Sequence, residues 1–474
     1  MVKLTKTQEF YKGKSIFITG ASGFMGKVLL EKLLYSCSDV KQIIILVRAK
    51  RGKSAAQRVQ DFSTLPMFKR INEEKPEVLK KIVPVYGDIT KPDFGLNDEQ
   101  YNCVMESEIV FHMAASLKLE ATLRFNVEMN LLGTKHAIDV CKKMPNLLLM
   151  VHLSTAFCTS DETGTLYERV YDWAHDPQEL LRCFEWMDEK TMEQITPNLL
   201  GPHPNTYTYT KRLAELLVRS EASSLPVCIV RPSIVTPAYA EPLPGWVDNL
   251  NGPVGIMVAA AKGVLRTLLC NGKLSGECIP VDFAINGCIC IAKQVAMTKD
   301  KATEAVFNVT CNPTSKRPWG YVLGEGRKMN EKYPFEAGLW YPGGDITTNV
   351  FAHKLNVALF HWGPAYLIDG LMFCFGQKRF FFMNTTIIPE DKELDYLRDT
   401  LLGGRQYCLK EPLSTLPKAR VQLKIMYCLD RFCKFMFFYY LIKLFLSLTG
   451  LDIIFTDFYD HLTDNNSIDL PVAE

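Results

Sequence analysis

The sequence predicts an α/β protein: a doubly wound parallel sheet followed by a helical C-terminal domain. Three observations carry this. First, the apolar strand Ser15–Thr19 runs into the glycine-rich turn TGASGFMG, Thr19–Gly26, and then into the amphipathic pattern Lys27–Tyr35. Second, strand patterns at Ser15–Thr19, Gln42–Val47, Ile82–Tyr86, Ile109–Met113, Leu149–Leu153 and Val227–Arg231 alternate with helical ones such as Asn130–Lys143 and Tyr209–Ser223. Parallel strands need a crossover between them, and this alternation supplies it. Third, the periodicity weakens after Arg231, and two strongly apolar stretches follow, Leu355–Gly376 and Phe435–Leu451.

The chain has 474 residues, long for one domain and natural for two. It is 47% hydrophobic, enough for a large core, and its net charge of +2 leaves no footprint for nucleic acid. The 15 cysteines show no C-x-x-C pair or zinc-like spacing. They read as reduced core residues facing the cytosol, and no metal site is expected. The N-terminus has no apolar h-region of the kind a secretory signal carries.

The glycine-rich turn comes first in the chain. A phosphate needs close backbone approach and free N–H groups at a helix N-terminus. Gly20, Gly23 and Gly26 permit that approach, so Thr19, Gly20, Gly23, Phe24, Met25 and Gly26 are the candidate dinucleotide contacts. At the end of the second strand, an acidic residue would bond a ribose 2′-OH, whereas an arginine would accept a 2′-phosphate. Arg48 stands there, with Lys50, Arg51 and Lys53 after it, which predicts NADPH. Asp88 follows the third strand, where a carboxylate can bond the adenine amino group. Ala114-Ala115 follow the fourth, where small residues let the nicotinamide ribose pass.

The fifth strand ends in Ser154-Thr155. A hydroxyl at a strand's C-terminal end faces the ligand crevice and can hold a substrate carbonyl oxygen. The two residues are expected to point to opposite sides, with Thr155 the better candidate. Tyr207 and Lys211 are four residues apart and so share one helix face. A nearby ammonium and an oxidised nicotinamide favour the phenolate, bringing a group that ionises near pH 10 toward its working range. A second Tyr-x-x-x-Lys, Tyr439–Lys443, lies in the apolar C-terminal stretch and reads as chance. His112 and His152 read as core residues. Cys158 lies near the expected site but has no sequence-adjacent base, so a thiol nucleophile is disfavoured.

After Arg231, the Pro- and Gly-rich stretch Pro232–Pro253 reads as a loop over a cleft, and Gly255–Leu269 as an apolar helix. Lys316–Gly344 reads as a connection.

Together these residues resemble the extended short-chain dehydrogenase/reductases and, more narrowly, the alcohol-forming fatty acyl-CoA reductases. The narrower resemblance rests on TGASGFMGKVLLEKLL, KIVPVYGDIT, VHLSTAF, NTYTYTKRLAE, VRPSIV and, most specifically, PGWVDNLNGP followed by KGVLRT. It covers about residues 12–320 and resumes in LFHWGPAYLIDGLMFCFG and EPLSTLPKARVQLKIMYCLDR. It implies a Rossmann-type domain that reduces a long-chain acyl-CoA through an aldehyde to a primary alcohol, consuming NADPH twice and releasing CoA. Tyr207 would be the proton donor, Lys211 its electrostatic partner and a holder of the nicotinamide ribose, and Thr155 or Ser154 the holder of the carbonyl oxygen. The acyl chain would lie against the region from Pro232 to Leu269.

Family members usually carry a longer helical stretch between the two halves of the second domain. Here Phe380-Phe381-Phe382-Met383-Asn384 passes almost directly to Ile388-Pro389-Glu390-Asp391, so that domain is expected to be shortened. Two other readings share the glycine-rich turn and Tyr207–Lys211: a sterol or nucleotide-sugar reductase or epimerase, and a non-catalytic NADP-binding membrane protein. Neither accounts for PGWVDNLNGP together with an intact Tyr207, Lys211, Ser154 and Thr155.

A spanning helix needs about 20 apolar residues. Phe435–Leu451 is slightly short and has Lys443 near its middle, whereas Leu355–Gly376 is interrupted by His361, Pro364 and Asp369. Arg420–Lys434 repeats apolar residues at helical spacing with cations on other faces, which suits an interfacial helix. Basic residues precede Phe435, and Asp452, Asp457 and Asp460 follow Leu451. That bias expects a membrane-associated protein with a cytosolic catalytic domain, on the endoplasmic reticulum or the peroxisome. The expected division is a catalytic domain over 12–320, a connection over 321–352, a helical domain over 353–434, a membrane segment over 435–451 and a polar tail over 452–474.

Overall fold

A computed structural model of the chain describes residues 4–48, 55–298, 305–311, 316–362 and 393–449. Largely apolar runs form β1 (Ser15–Thr19), β2 (Gln42–Val47), β3 (Ile82–Tyr86), β4 (Ile109–His112), β5 (Leu149–Leu153) and β6 (Val227–Pro232), all buried except β3, which is half-exposed at the sheet edge. Three short strands follow, β7 (Ile234–Thr236), β8 (Thr267–Leu269) and β9 (Cys278–Pro280). The last two are β10 (Ala305–Val309) and β11 (Asp345–Thr347). The main sheet has the order β10-β6-β5-β4-β1-β2-β3, and every pair in it is parallel. β1 lies between β2 and β4, so the connections leave it in opposite directions and open a crevice at its C-terminal end.

The helices that matter for that crevice are α1 (Phe24–Ser36), α2 (Gly133–Lys143) and α3 (Thr206–Glu221). α4 (Pro253–Ala261), α5 (Glu393–Gly403) and α6 (Leu416–Thr449) complete the set. α1 starts three residues before the predicted pattern, because the turn's Phe24, Met25 and Gly26 already wind as its first turn. Before α2 the chain takes a wider, π-type turn over Val127–Leu132.

The expected helix over Gly255–Leu269 does not run that far. Gly263 is left-handed at φ +73°, and a Cβ there would overlap the Trp340 carbonyl. The helix therefore stops at Ala261, and Thr267–Leu269 becomes β8, paired with β11. Within the stretch read as a connection, Trp319–Lys332 is a helix. The described part of Leu355–Gly376 forms a helix over Val350–Val357 and a wider turn over Ala358–Trp362, with no buried side chain. The shortened stretch between Phe380 and Asp391, residues Lys50, Arg51 and Lys53, and the tail from 450 onward lie outside the described residues.

The interfacial helix Arg420–Lys434 and the apolar stretch after it form one helix, α6. Its first half docks on the body. Ala419, Leu423 and Asp430 are buried, Arg420 donates to the Lys332 carbonyl, and the Trp340 indole donates to Asp430 at 2.8 Å. From Phe435 onward its large apolar side chains face outward. Among the described residues, Leu413–Thr449 is the one helical run long and apolar enough to cross a membrane.

Candidate active site

The crevice is a cleft of about 2210 Å³, walled by the C-terminal ends of β1 to β5, by α3 and by the loop from Pro237 to Pro253. Of the residues predicted from the sequence, Gly20, Gly23, Phe24, Met25, Gly26, Arg48, Asp88, Ala114, Ser154, Thr155, Tyr207 and Lys211 all line it. Thr19 does not. It is fully buried beneath the turn, where its hydroxyl bonds the His112 ring at 2.9 Å and accepts from the Ala114 N–H at 3.3 Å. The last residue of a buried strand points its side chain into the sheet's packing, so Thr19 supports the turn from below.

Gly20 is left-handed at φ +78°, and a Cβ there would stand 2.7 Å from the Ala114 nitrogen. Gly23 caps α1 with no capping side chain, which leaves the first-turn N–H groups to face the cleft. This cradle fits an anionic dinucleotide. Arg48 and Asp88 meet at the far rim, 3.8 Å apart. One Asp88 oxygen accepts from the Thr90 N–H and hydroxyl, both at 3.0 Å, so only the other is turned toward Arg48.

Ser154 and Thr155 do not divide between two sides as expected. β5 ends at Leu153, the strand's alternation ends with it, and both residues line the cleft. The Ser154 hydroxyl is buried with no hydrogen-bond partner among the described residues, an orphaned donor a ligand can satisfy. The Thr155 hydroxyl accepts from the Phe157 N–H at 3.3 Å and lies against the Tyr207 phenol.

Asn205 caps α3, its side chain accepting from the Thr208 N–H at 2.9 Å. Tyr207 and Lys211 therefore sit on the first turns of that helix, on the face toward β5. Lys211 donates to the Leu153 carbonyl at 2.7 Å. Burial lowers its ammonium to about 8, partly offset by the Glu215 carboxylate. Burial raises the Tyr207 phenol well above its ordinary value, and Thr155 opposes that shift. Among the protein's own groups, removal from water disfavours the phenolate more than the Thr155 hydrogen bond favours it. The phenol keeps its proton at neutral pH.

His112 and His152 stack 5.6 Å apart in the sheet. Burial, with the Lys211 charge second, lowers His112 to about 3 and His152 well below its ordinary range, so both are neutral core residues. The Cys158 thiol is buried and donates to Glu215 at 3.2 Å. Burial raises its pKa, which is unsuited to a nucleophile.

The sequence reading passed over two supports. Asn126 donates to Thr206 at 2.7 Å and Asn130 to Thr210 at 3.1 Å, fastening α3 to the wide turn and to the residue just before it. Two asparagines four apart in an apolar helical run were the available signal. Lys27, one residue past the glycine-rich turn, forms an ion pair with Asp248 of the PGWVDNLNGP loop.

The family described as male sterility protein, an NAD-binding domain family, matches residues 18–288. Fatty acyl-CoA reductase 1 of Xenopus laevis is 34% identical over 457 residues, covering 88% of each chain. Fatty acyl-CoA reductase 1 of Homo sapiens and fatty acyl-CoA reductase 2 of Bos taurus are each 34% identical with the same coverage. Among solved structures, the terminal reductase domain of the myxalamid biosynthetic pathway superposes with a TM-score of 0.56. It is 17% identical and covers 85% of this chain and 93% of that one. An archaeal thiolation-reductase di-domain superposes at 0.53, 15% identical, over 84% and 77% of the two chains. The parallel sheet, the glycine-rich turn and the cleft define an NAD(P)-dependent oxidoreductase of the extended short-chain type. Within that class, the chain belongs to the fatty acyl-CoA reductase family.

The Lys211 ammonium sets a pH dependence. Its folded pKa, about 8, lies below the ordinary value of about 10.4. The unfolded chain therefore binds this proton more tightly, and the residue's contribution to stability rises with pH across that window. Loss of the charge is expected to act the other way on turnover. kcat/KM should fall above about pH 8, and Lys211→Met should lower the rate ~10²-fold or more and abolish that limb. A limb that persists in Lys211→Met would assign it to another group.

Proposed function

We propose that this protein reduces long-chain fatty acyl-CoA with NADPH, through a bound aldehyde, to the primary fatty alcohol, and releases CoA. The observation that carries the reading is one cleft bringing Tyr207, Lys211, Ser154 and Thr155 together with a glycine turn suited to a dinucleotide.

In this reading the turn Gly20–Gly26 holds the pyrophosphate, and Arg48, at the end of β2, takes the 2′-phosphate. Asp88 bonds the adenine amino group and Ala114 gives room to the nicotinamide ribose. When bound, the cofactor supplies hydride to the carbonyl carbon of the substrate. Thr155, or Ser154 beside it, donates to the carbonyl oxygen as negative charge gathers there. Tyr207 then gives its proton to that oxygen. The buried, protonated phenol suits a donor, and the Lys211 ammonium stabilises the phenolate left behind. The resulting hemithioacetal breaks its C–S bond and returns its hydroxyl proton to the medium, leaving aldehyde and CoA thiolate. Tyr207, once the medium has returned a proton to its phenolate, would give that proton to the aldehyde oxygen in the second reduction, completing the alcohol.

We read 12–320 as the catalytic domain, 321–352 as the connection, 353–434 as the helical domain, 435–451 as the membrane segment and 452–474 as the tail. Phe435–Thr449 rises about 22 Å at 1.5 Å per residue, against a hydrocarbon core of about 30 Å. Its outward apolar side chains and the cations Arg431 and Lys434 before it support insertion with the catalytic domain cytosolic, on endoplasmic reticulum or peroxisome.

Tyr207→Phe is expected to reduce alcohol formation by ~10²–10⁴-fold and leave NADPH binding nearly unchanged, measured by mass spectrometry of lipid products and by cofactor titration. Wild-type membranes that form no alcohol from acyl-CoA and NADPH would overturn the activity itself. Arg48→Ser should weaken NADPH binding at least about tenfold relative to NADH, since one charge-assisted contact is worth more than 1.4 kcal/mol. Equal losses for both cofactors would remove Arg48 from the phosphate. Carbonate washing should leave the full-length chain in the membrane pellet, and its release would contradict insertion.

A further inference from the structure

The cleft is chemically divided. Arg48, Lys91 and Lys118, with the carboxylates Asp88 and Glu120 among them, come from the segments after β2, β3 and β4, so this side of the cleft is charged and carries more cations than anions. The opposite wall, from Pro232 to Val254, contributes no charged side chain to the lining. Its apolar members Val247, Leu250 and Val254 also belong to a separate hydrophobic cluster whose other side is Leu397 and Leu401 of α5. These two leucines are almost fully buried behind the wall and are not part of the cleft lining.

The position of this wall is set from behind. Gly245 is left-handed at φ +72°, and a Cβ on it would overlap the Asp399 carbonyl. A Cβ on Gly403 would in turn overlap the Gly245 carbonyl. Loop and helix thus touch backbone to backbone. The turn after α5 adds further contacts: the Cys408 thiol donates to the Asn249 carbonyl at 3.2 Å and to the Val247 carbonyl at 3.6 Å, and the Tyr407 ring lies 5.1 Å from that of Trp246. On its other side, the loop is tied to α1 through Asp248 and Lys27.

We infer that the uncharged end of the cleft receives the distal end of the acyl chain, and that α5 sets, through Leu397 and Leu401, the chain length that fits. This rests on the acyl-CoA reading above. Anionic CoA and dinucleotide phosphates belong with the cations across the cleft, whereas an alkyl tail gains by leaving water for Val247, Leu250 and Val254. The wall is thin. Shortening a leucine behind it deepens the pocket, and enlarging a residue in front fills it. α5 acts here as a positioning element and touches no reacting atom.

The test uses the full-length protein and two readouts over a series of chain lengths: kcat/KM for acyl-CoAs, and equilibrium binding of S-alkyl-CoA thioethers, which need no turnover. Leu401→Ala, and the milder Leu401→Val, should move both profiles toward longer chains. Val254→Phe should move them toward shorter ones. The expected change in the long-to-short ratio is about tenfold or more, the discrimination an apolar pocket draws from a methylene. If Leu401→Ala does not fold, the other two variants decide. Profiles that superimpose on the wild type, in variants that still bind NADPH, overturn the inference alone. A wild type that binds thioethers without regard to length does the same. A wild type that binds no thioether at all removes the acyl-CoA reading and this inference with it.

Discussion

Everything in the cleft depends on one close approach, that of the Gly20 backbone to the end of β4. Because β1 pairs with both β2 and β4, its following turn must rise between two diverging connections. A side chain at Gly20 would collide with Ala114, so the turn lies flat against the strand and α1 begins with open N–H groups. The same contact brings Ala114 under the turn and stations Thr19 and His112 as its buried floor. His112 bridges the turn's floor and α2, bonding Thr19 at 2.9 Å and Thr134 at 3.3 Å, and His152 stacks on it from β5; burial keeps both neutral.

The long segment after β5 poses the opposite problem, since it carries many backbone carbonyls and no regular structure from Ser154 to Asp176. Two buried arginines solve it. Arg212 of α3 donates to the Tyr171 and Asp172 carbonyls and pairs with Asp161 at 3.1 Å. Arg231 of β6 donates to the Arg169 carbonyl at 2.8 Å and forms a two-point pair with Glu215. Buried charges persist only when paired and hydrogen-bonded, and these bind the loop to the helix that bears Tyr207 and Lys211. Glu215 links this network to the site, because it also acts on the Lys211 ammonium and accepts from Cys158.

The C-terminal part is joined to the catalytic part at the cleft. α5 packs behind the PGWVDNLNGP loop, and α6 docks through Asp430, whose carboxylate receives Trp340 and Lys434. The outward apolar half of α6 therefore leaves from a helix whose first half is held against the body. The loop that walls the cleft is thus backed by α5, and α5 is followed in the chain by α6.

Much of this was legible in the sequence, for reasons specific to each element. Six of the seven parallel strands were legible as short apolar runs such as QIIILV, each bounded by helical patterns. The glycine-rich turn was legible because only glycine can adopt φ +78° beside Ala114, and Tyr207–Lys211 because a spacing of four places both on one helix face. The rest was decided by packing between distant segments. That Thr19 is floor and not contact, and that Gly263 ends α4, follows from neighbours about 95 and 77 positions away or more, which no local pattern encodes. The environment of the Tyr207 phenol belongs to the same class: its residue type was legible, but its burial is a property of the assembled wall, and that burial raises its pKa. Sequence by itself determined the fold class and the identity of the chemical groups. Tertiary structure alone decided their environment, because dielectric surroundings and close backbone contacts arise only when remote parts of the chain are brought together.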